Sequence, residues 1–524
     1  FSMLKRPSAG SPPSDAMLAL AACSLAAALG ICSASLPNQS ASQGSPDQLS
    51  NQSAGHSSPE CTLAPAESAD ANYEAIMGCL SSEARTARLR SGVFLLPKGI
   101  TMMPHSQLLG TAGEVARLQI ENLTSMSSFV LETSTNSTVG LLTLDAANHL
   151  ESSGCCTSII KVSGNSSLLH DVRVSSLESG IGVHFADKYS FDNHLLNVNV
   201  SSCFYGVIFA SGLDSTHHNV FEGGTIEEVA CDAIVFVGYG EAIRNTVRNN
   251  GYNCGGQPPS SGAGLYCRGN AEGGLILENT VYDTCGMALD SDSCAHFNVS
   301  FNHFHSPGNT FAGQYPSCAG AITAVLLDSS NFHVEGNVVS NDRSSNMQSN
   351  ATMQDPNHIF RDIAADAFSD LPAGADTLLN FVVAQRPWTA AGPSISHEVI
   401  RNVFSATCNG TAGSCVGVGY FSGRGTGLHG STEWRPSHYA ANAVTGSDIG
   451  SRRCGRNWYS DTAVCTVGAS APCNEDDHEH RKDQFRNDLN CKAYSHHFPW
   501  KAAHGYLGHL RTPLPQLPDS YVSS

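Results

Sequence analysis

The feature that most constrains the fold of this chain is a loose repeat of short apolar segments that begins at about residue 158. One half of the repeat is an Asn followed by apolar residues: HNVFEGGTI at 218, RNTVRNNGY at 244, ENTVYDTCG at 278, FNVSFNHFH at 297, GNVVSNDRS at 336 and RNVFSATCN at 401. The other half is a short apolar run: SGIGVHF at 179, YGVIFAS at 205, DAIVFVG at 232, AGLYCRG at 263 and GMALDSD at 286. Such short segments cannot bury an apolar face alone, so we expect them to stack, about 4.8 Å apart, around one continuous core.

The asparagines have a structural explanation in such a stack. Side chains at equivalent bends can hydrogen-bond to one another and to the backbone, as in other ladders of stacked parallel strands. The sequence therefore predicts that Asn245 belongs to a ladder at a bend, and that Asn249 and Asn250 form the turn before Gly251.

Composition favours many short strands. The 524 residues include 49 Gly, and only 14% of the chain is charged, which suits strands and turns better than long amphipathic helices. A short helix is predicted near the N-terminus, where apolar residues recur at helical spacing: Tyr73, Ile76, Met77 and Leu80. The segment SGVFLLPKGITM then predicts a strand interrupted by Pro97 and Gly99.

Together, the repeat and this N-terminal segment resemble the pectin-lyase-like right-handed parallel β-helix proteins. The N-x-V and G-I-x-V coils correspond to residues from about 158 to 423, and EAIMGCLSSEARTARLRSGVFLLPKGITM resembles the helix, apolar strand and P-x-G opening of pectate-lyase-type domains. The resemblance implies an all-β fold: a right-handed parallel β-helix with a short N-terminal helix and an irregular C-terminal region. It implies no single activity, because this superfamily includes lyases, hydrolases, epimerases, phage tailspikes and proteins without catalysis.

The N-terminal part of the chain precedes the repeat. Residues 1–34 contain an apolar run after Lys5 and Arg6, which predicts a signal peptide, with an uncleaved signal anchor as the alternative. Residues 35–70 are rich in Ser, Gln and Pro, which predicts a disordered linker.

The β-helix itself is predicted over residues 71–423. An insertion is expected at about 341–395, where HIFRDIAADAFSDL has the pattern of an amphipathic helix. Residues 424–524 lose the repeat and contain several cysteines, which predicts a cap or tail.

Cysteine content and charge bound the compartment and the partners. Nineteen cysteines without a CxxC pair favour disulfides, the first expected pair being Cys408 and Cys415, and hence a secreted or cell-surface glycoprotein. The net charge of −18 argues against a nucleic-acid partner, which requires a basic surface. No membrane contact is expected beyond an N-terminal signal anchor, and the oligomeric state is left open.

The alternation of side chains places polar residues on one outer face of the stack. Three pairs are taken as equivalent inward positions: Ile234 and Phe236, Leu265 and Cys267, and Met287 and Leu289. Tyr266, Arg268 and Asp290 then face outward, and Arg268 and Asp290 are expected to be neighbours on adjacent coils. Asp292 lies on the same face, about 6.5 to 7 Å further along the strand. The same register puts His184 outward on this sheet.

These residues suggest chemistry on an acidic polysaccharide. Asp290 and Asp292 are expected to bind Ca²⁺ or to act as acid and base. A lyase or epimerase must first neutralise the uronate carboxylate, a role that suits Arg268, before a base removes the proton at C5. Tyr266 is a candidate for proton transfer. The alternative is a surface ion pair between Arg268 and Asp290 beside a solvated Asp292.

A second set of candidates lies in VHFADKYSFDNH, where His184 and Lys188 are predicted substrate-binding residues. A polygalacturonase-type hydrolase is disfavoured, because Val281 stands where its N-T-D motif requires an acid.

The leading hypothesis is a secreted β-helix protein that acts on or binds an acidic polysaccharide by lyase- or epimerase-type chemistry. The first alternative is a non-catalytic glycan-binding or structural protein of the cell surface or matrix. The second is an adhesin or tailspike-like assembly.

Overall fold

The structure is a computed structural model. It describes residues 60–120, 129–147, 157–186, 190–210, 212, 218–252, 262–268, 271–306, 323–343, 376–385, 387–388, 392–393, 397–408, 415–418, 421–424, 438–440 and 443–445. Within these residues the chain forms one helix, α1, and strands β1 to β36. Apart from one short antiparallel pair, β29 (Pro387–Trp388) with β30 (Gly392–Pro393), the strands pair in parallel in three ladders.

The first ladder, sheet 1, runs through the whole described length of the repeat. Its strands are β1 (Cys61–Leu63), β2 (Thr86–Leu89), β5 (Gln107–Gly110), β8 (Thr138–Gly140), β11 (Leu168–His170), β13 (His194–Leu196), β15 (Val220–Glu222), β18 (Glu241–Ile243), β21 (Glu272–Leu277), the second half of β23 (Leu289–Ser300), β26 (His333–Glu335), β31 (Glu398–Ile400) and β35 (His438–Ala440).

Sheet 2 follows sheet 1 on each coil. Its strands are β3 (Gly92–Leu96), β6 (Ala116–Ile120), β9 (Leu142–Asp145), the first parts of β12 (Arg173–Phe185) and β14 (Asn199–Phe209), β16 (Thr225–Glu227), β19 (Thr246–Asn250), β22 (Thr280–Thr284), β24 (His303–Ser306), β27 (Val338–Arg343), β32 (Val403–Cys408) and β36 (Ala443–Thr445).

Sheet 3 completes the coil before the chain returns to sheet 1. Its strands are β4 (Ile100–Thr101), β7 (Phe129–Glu132), β10 (Ser158–Val162), the second parts of β12 and β14, β17 (Ile234–Phe236), β20 (Leu265–Arg268), the first half of β23, β25 (Thr323–Ser330), β28 (Asp376–Gln385), β33 (Cys415–Val418) and β34 (Phe421–Arg424). The predicted all-β parallel β-helix is therefore confirmed, and its crossovers are of the kind that are right-handed in proteins.

The inward side chains form one continuous core along the stack. On sheet 3 the rings of Phe185 and Phe209 stack with centroids 4.8 Å apart, and those of Phe209 and Phe236 with centroids 5.2 Å apart. Phe297 then meets Phe236 edge to face at 5.4 Å. The spacing of the stacked rings matches the spacing of the coils, because these three coils each place one Phe at the same inward position of sheet 3.

A ladder of buried asparagines lies at the bend between sheets 1 and 2. Each Nδ2 donates to the Oδ1 of the next Asn over 2.9–3.1 Å and to a backbone carbonyl. The backbone N–H of each donates to the same Oδ1. The ladder consists of Asn245, Asn279, Asn302, Asn337 and Asn402. The prediction that Asn245 belongs to such a ladder is confirmed.

Two repeat segments were aligned wrongly in the prediction of this ladder. In FNVSFNHFH the ladder residue is Asn302, whereas Asn298 lies on β23 and its Oδ1 accepts from Ser300. Asn219 belongs to a different bend, before sheet 1, where Asn193 donates to its Oδ1 over 2.9 Å. The ladder position requires a bend after a residue in the left-handed conformation, such as Phe301 (φ 56°), and an Asn-x-Val pattern alone does not identify that bend.

The turn predicted before Gly251 is also different. β19 extends through Asn249 and Asn250. Asn249 has φ 54°, and the buried Asn250 donates to the carbonyls of Cys231 and Ala263.

Helix α1 (Ala69–Ser81) packs at the N-terminal end of the coils. Ser68 caps it by accepting from the Ala71 N–H over 3.2 Å. Ile76 and Leu80 are fully buried, as the helical spacing predicts. The disulfide between Cys61 and Cys79 joins the helix to β1. None of the helices among the described residues is long and apolar enough to cross a membrane.

The structure adds strands outside the predicted limits of the β-helix. β1 lies in the segment predicted as a linker, β28 lies in the predicted insertion, and β35 and β36 continue two ladders beyond residue 423. The predicted signal sequence, the predicted helix over 358–371, the side chains of Cys408 and Cys415, and the predicted tail after 445 lie outside the described residues.

Candidate functional site

The outer face of sheet 3 brings together most of the predicted site residues. Along one row, each residue pairs with the next on the following coil, in the order His184, Ile208, Val235, Tyr266 and Asp290. The sequence predicted the outward position of His184 on this sheet.

The predicted register between two of these coils is wrong by two residues. Leu265 pairs with Leu289 rather than with Met287, so Asp290 stands opposite Tyr266, and Asp292 stands opposite Arg268. Arg268 and Asp290 are thus diagonal rather than direct neighbours. The shift arises because the bend before β23 includes Met287 and Ala288, both buried, so counting apolar residues alone cannot locate the start of the strand.

Sequence reasoning missed two residues of this site, Tyr205 and Asp232. Val207, Ile234 and Leu265 are paired in register, and Tyr205, Asp232 and Ala263 stand two residues before them. Asp232 is only 5% exposed, and its Oδ1 accepts from the Ala263 N–H over 2.7 Å. The signal was present in the repeat segments YGVIFAS and DAIVFVG, each of which begins with a polar residue.

Burial determines the electrostatics of the Asp232 carboxyl. Loss of water raises its pKa to about 7, while the Ala263 N–H and the positive charge of Arg268 act in the opposite direction. The pKa of Tyr205 is also raised, first by burial and then by the negative charge of Asp232, and Arg268 opposes this shift too. Asp232, Tyr205 and Arg268 are therefore electrostatically coupled.

Arg268 links Asp232 and Tyr205 to the site that the sequence predicted. Its guanidinium carbon lies 5.7 Å from the centroid of the Tyr266 ring, which is within the range of a cation–π contact. Tyr266 and Arg268 are both partly exposed, as is Asp290. The site thus holds a fixed positive charge, a buried carboxyl that titrates near neutral pH, and two phenols.

Of the two predicted substrate-binding residues, the structure describes only His184. His184 lies three coils from Tyr266, so the structure does not bring it next to Arg268. Its pKa is lowered to about 4 by burial and by the charge of Lys161, which keeps the imidazole neutral at physiological pH. Lys161 itself is paired with Glu132 at 2.7 Å. Lys188 lies outside the described residues.

A metal site is not assembled by the described residues. They contain no group of three His, Cys, Asp or Glu side chains arranged to hold a metal ion. The backbone register places Arg268 opposite Asp292. Calcium binding by Asp290 and Asp292 stays a prediction.

Comparison with known proteins gives similarities of structure only. No family model matches the chain, and no curated protein matches it significantly. The A-module of the Azotobacter vinelandii mannuronan C-5 epimerase AlgE4 shares 13% identity, with a TM-score of 0.41 over 73% of this chain and 91% of that one. The Dettilon tailspike protein gp208 shares 14% identity, with a TM-score of 0.40 over 72% of this chain and 68% of that one.

A bacterial surface protein is similar to the same degree. PfbA, a surface adhesin of Streptococcus pneumoniae, shares 11% identity, with a TM-score of 0.37 over 73% of this chain and 88% of that one. The assignment of the parallel β-helix rests on this chain's own strand pairings, which run in three parallel ladders from β1 to β36.

Proposed function

We propose that the outer face of sheet 3 binds an acidic polysaccharide and that the site around Asp232 abstracts a proton from it. The observation that supports this most is a buried carboxyl with a pKa of about 7 coupled to an arginine and a tyrosine. A general base is most effective when its pKa lies near the working pH. Because perturbed groups of this kind cluster at functional sites, the site is assigned to proton transfer.

Each of the three groups has a role in that reaction. Arg268 pairs with the uronate carboxylate, which makes the C5 proton more acidic. Asp232, as the carboxylate, accepts that proton through the small exposed part of its side chain. Tyr205 carries its proton at neutral pH, as a phenol ordinarily does, so it is available to serve as the acid.

The electron pair released at C5 has two outcomes. In a lyase reaction it forms the C4–C5 double bond, the C4–O bond breaks, and Tyr205 protonates the leaving oxygen. In an epimerase reaction C5 is reprotonated from the opposite face, and the glycosidic bond stays intact. Tyr266 is proposed as a second proton-transfer group beside Arg268.

Further contacts belong to the same proposal. His184 and Lys188 are proposed to bind the sugar chain away from the reacting unit, and Asp290 and Asp292 to bind calcium or a sugar hydroxyl. We further propose that the protein works outside the cell or at its surface, in agreement with its disulfides.

Glycan binding without catalysis is the second candidate function. It is favoured by Ile208, a partly exposed apolar residue that lies between His184 and Tyr266 on the outer row. An apolar side chain between polar positions suits the face of a sugar ring and contributes nothing to proton transfer.

A substrate screen tests the proposal. The protein is incubated with pectate, alginate and glycosaminoglycans, with calcium and with a chelator, and the products are assayed for unsaturated ends and for inverted uronate units. We expect D232N to lower kcat/KM by about 10²-fold or more, and Arg268→Ala to weaken both binding and turnover. Arg248→Ala is the control, because Arg248 bonds to Glu227 and Tyr282 on the outer face of sheet 2.

The outcomes separate the alternatives. Turnover that D232N and Arg268→Ala leave unchanged would exclude this site. Binding without turnover would favour the non-catalytic function, and the absence of binding to every polyuronate would refute both. Turnover that the chelator abolishes would support calcium at Asp290 and Asp292, and unchanged turnover would remove it from the proposal.

A further inference from the structure

The disulfide between Cys267 and Cys294 lies directly beneath the candidate site. Cys267 stands between Tyr266 and Arg268 on β20 and is completely buried. Cys294 follows Asp292 by two residues on β23 and is 3% exposed. The bond therefore joins, from inside the core, the two strands whose outer side chains form the site.

The same bond lies where the backbone ladder between these strands changes. Arg268 is the last residue of β20, and its pairing with Asp292 is the last one between the first half of β23 and β20. Beyond Asp292, the register of β23 against β25 shifts before Ala295. Strand ends open more readily than strand centres. The disulfide thus restrains the residues that backbone hydrogen bonds restrain least.

Around the Cys267–Cys294 disulfide, the core of sheet 3 lacks the phenyl rings that pack the earlier coils. The inward row consists of Phe185, Phe209 and Phe236, and the next two coils place Cys267 and Ser291 at the same position. These small side chains bury much less apolar surface than a phenyl ring. On sheet 3, where this row of phenyl rings stops at Phe236, a covalent bond links adjacent coils instead.

We propose that the Cys267–Cys294 disulfide is a positioning element of the candidate site, which keeps Arg268 within reach of Asp232 by fixing the end of β20 against β23. The two cysteines act through Arg268 and touch no substrate. The inference rests on the proposed function, because it concerns the same site.

The pKa of Asp232 reports directly on the position of Arg268. It is measured by NMR in protein labelled with ¹³C at the Asp carboxyl carbons, and D232N identifies the signal by its loss. R268Q removes a charge that lowers this pKa, so we expect the pKa to rise by roughly one unit. C267A/C294A is expected to give a rise of the same sign, because Arg268 is no longer held in place.

The disulfide between Cys61 and Cys79, at the N-terminal end of the coils, provides the matched control. C61A/C79A removes the bond that joins α1 to β1, and it should lower the melting temperature without changing the pKa of Asp232. If C267A/C294A does not fold, C267V/C294A restores apolar volume and replaces it.

Each result decides the proposal. A wild-type pKa in the folded double variant would overturn it, as would an R268Q variant with an unchanged pKa. The measurement needs no substrate. Failure of the wild-type protein to bind any polyuronate would therefore refute the proposed function. The pKa of Asp232 in the two disulfide variants would still decide whether the disulfide positions Arg268.

Discussion

Asp232 shows how one residue can combine a structural cost with a chemical use. Its side chain is 5% exposed and accepts one backbone hydrogen bond, while Arg268 compensates only in part for lost hydration. A carboxylate in such a place is destabilising unless it is protonated or paired. The same desolvation moves its pKa into the range in which a group can both take up and release a proton at neutral pH.

Because burial of the charged Asp232 carboxylate destabilises the folded protein, the effect of D232N on stability should depend on pH. Because the pKa is about 7 in the folded protein against 3.8 in the unfolded chain, the folded protein retains this proton across that interval while the unfolded chain loses it. Wild-type stability therefore falls as the pH rises from about 4 to 7. At pH 8 we expect D232N to be more stable by about 2–4 kcal/mol, and the difference should shrink towards pH 4.

Denaturant unfolding of both proteins at several pH values measures this difference. D192N is the control, since Asp192 is exposed and lies in a turn. If D232N is no more stable than wild type at pH 8, burial of the charged Asp232 carboxylate does not destabilise the folded protein, and the prediction is wrong.

The side chains that face outward could be predicted from the sequence, and the composition of the site only in part. The period of two along a strand depends on the strand itself, so Tyr266 and Arg268 were placed correctly. Asp232 precedes its strand, where that period does not apply. Its burial depends on the neighbouring coils, which no local pattern in the sequence describes.

At the scale of elements, the bend between sheets 1 and 2 depends on the asparagine ladder. Each ladder amide donates to a backbone carbonyl of the preceding coil, and Asn302 also donates to the Ser300 carbonyl of its own coil, so the loss of one side chain removes several hydrogen bonds at once. The cost of such a loss is the desolvation of those groups, in addition to the lost hydrogen bonds.

Asn302→Ala tests the ladder at its centre. We expect it to destabilise the protein by about 2–4 kcal/mol, because buried groups of Asn279, Ile276 and Ser300 each lose a hydrogen bond. Asn298→Ala is the matched control, because Asn298 is only partly buried and lies outside the ladder. Equal shifts of the two unfolding midpoints would show that the ladder contributes no special stability.

Glycine has opposite roles in two elements. A Cβ at Gly274 would lie 2.2 Å from the Phe297 ring, whereas one at Gly78 in α1 would meet nothing within 4 Å. Gly274→Ala should therefore destabilise the protein by about 1–3 kcal/mol through overpacking, and Gly78→Ala should stabilise it by about 0.5–1 kcal/mol through its helix propensity. Thermal melts of both variants provide the comparison, and shifts of the same sign would disprove it.

Register was the hardest property of the elements to predict. β12, β14 and β23 each pass from one sheet into the next, and irregularities in pairing lie within β12 and β23. The number of residues between equivalent strands is therefore not constant. The existence of the ladders follows from the apolar pattern, whereas the pairing of Tyr266 with Asp290 depends on the length of the bend before β23.

At the scale of the whole molecule, each described coil contacts mainly its neighbours in the stack. Stability in such a protein is close to a sum of coil terms and nearest-neighbour terms. Local damage should therefore stay local. Helix α1 contacts β1, β2 and β3, and it covers the first coils through Ile76 and Leu80.

Ile76→Ala should loosen the N-terminal coils only. The cavity costs about 2–5 kcal/mol, so we expect faster amide hydrogen exchange in β2 and β3 and unchanged exchange in β26 and β31. Ile276→Ala, at the centre of the stack, is expected to affect β18 and β23 instead, which flank β21. Exchange that rises evenly along the chain in either variant would argue against this nearest-neighbour behaviour.

The bend between sheets 1 and 2 changes its chemistry once along the stack. The residue after the left-handed turn is apolar on the early coils, in Leu142, Val172 and Val198. On the next coil it is Gly224, whose N–H donates to the Oδ1 of Asn245 over 2.9 Å. The bend is therefore held by apolar packing on the early coils and by a network of amide hydrogen bonds on the later ones. Tyr205 and Asp232 lie on either side of Gly224 in the sequence. The candidate site therefore spans the coils at which the bend changes from apolar packing to hydrogen bonding.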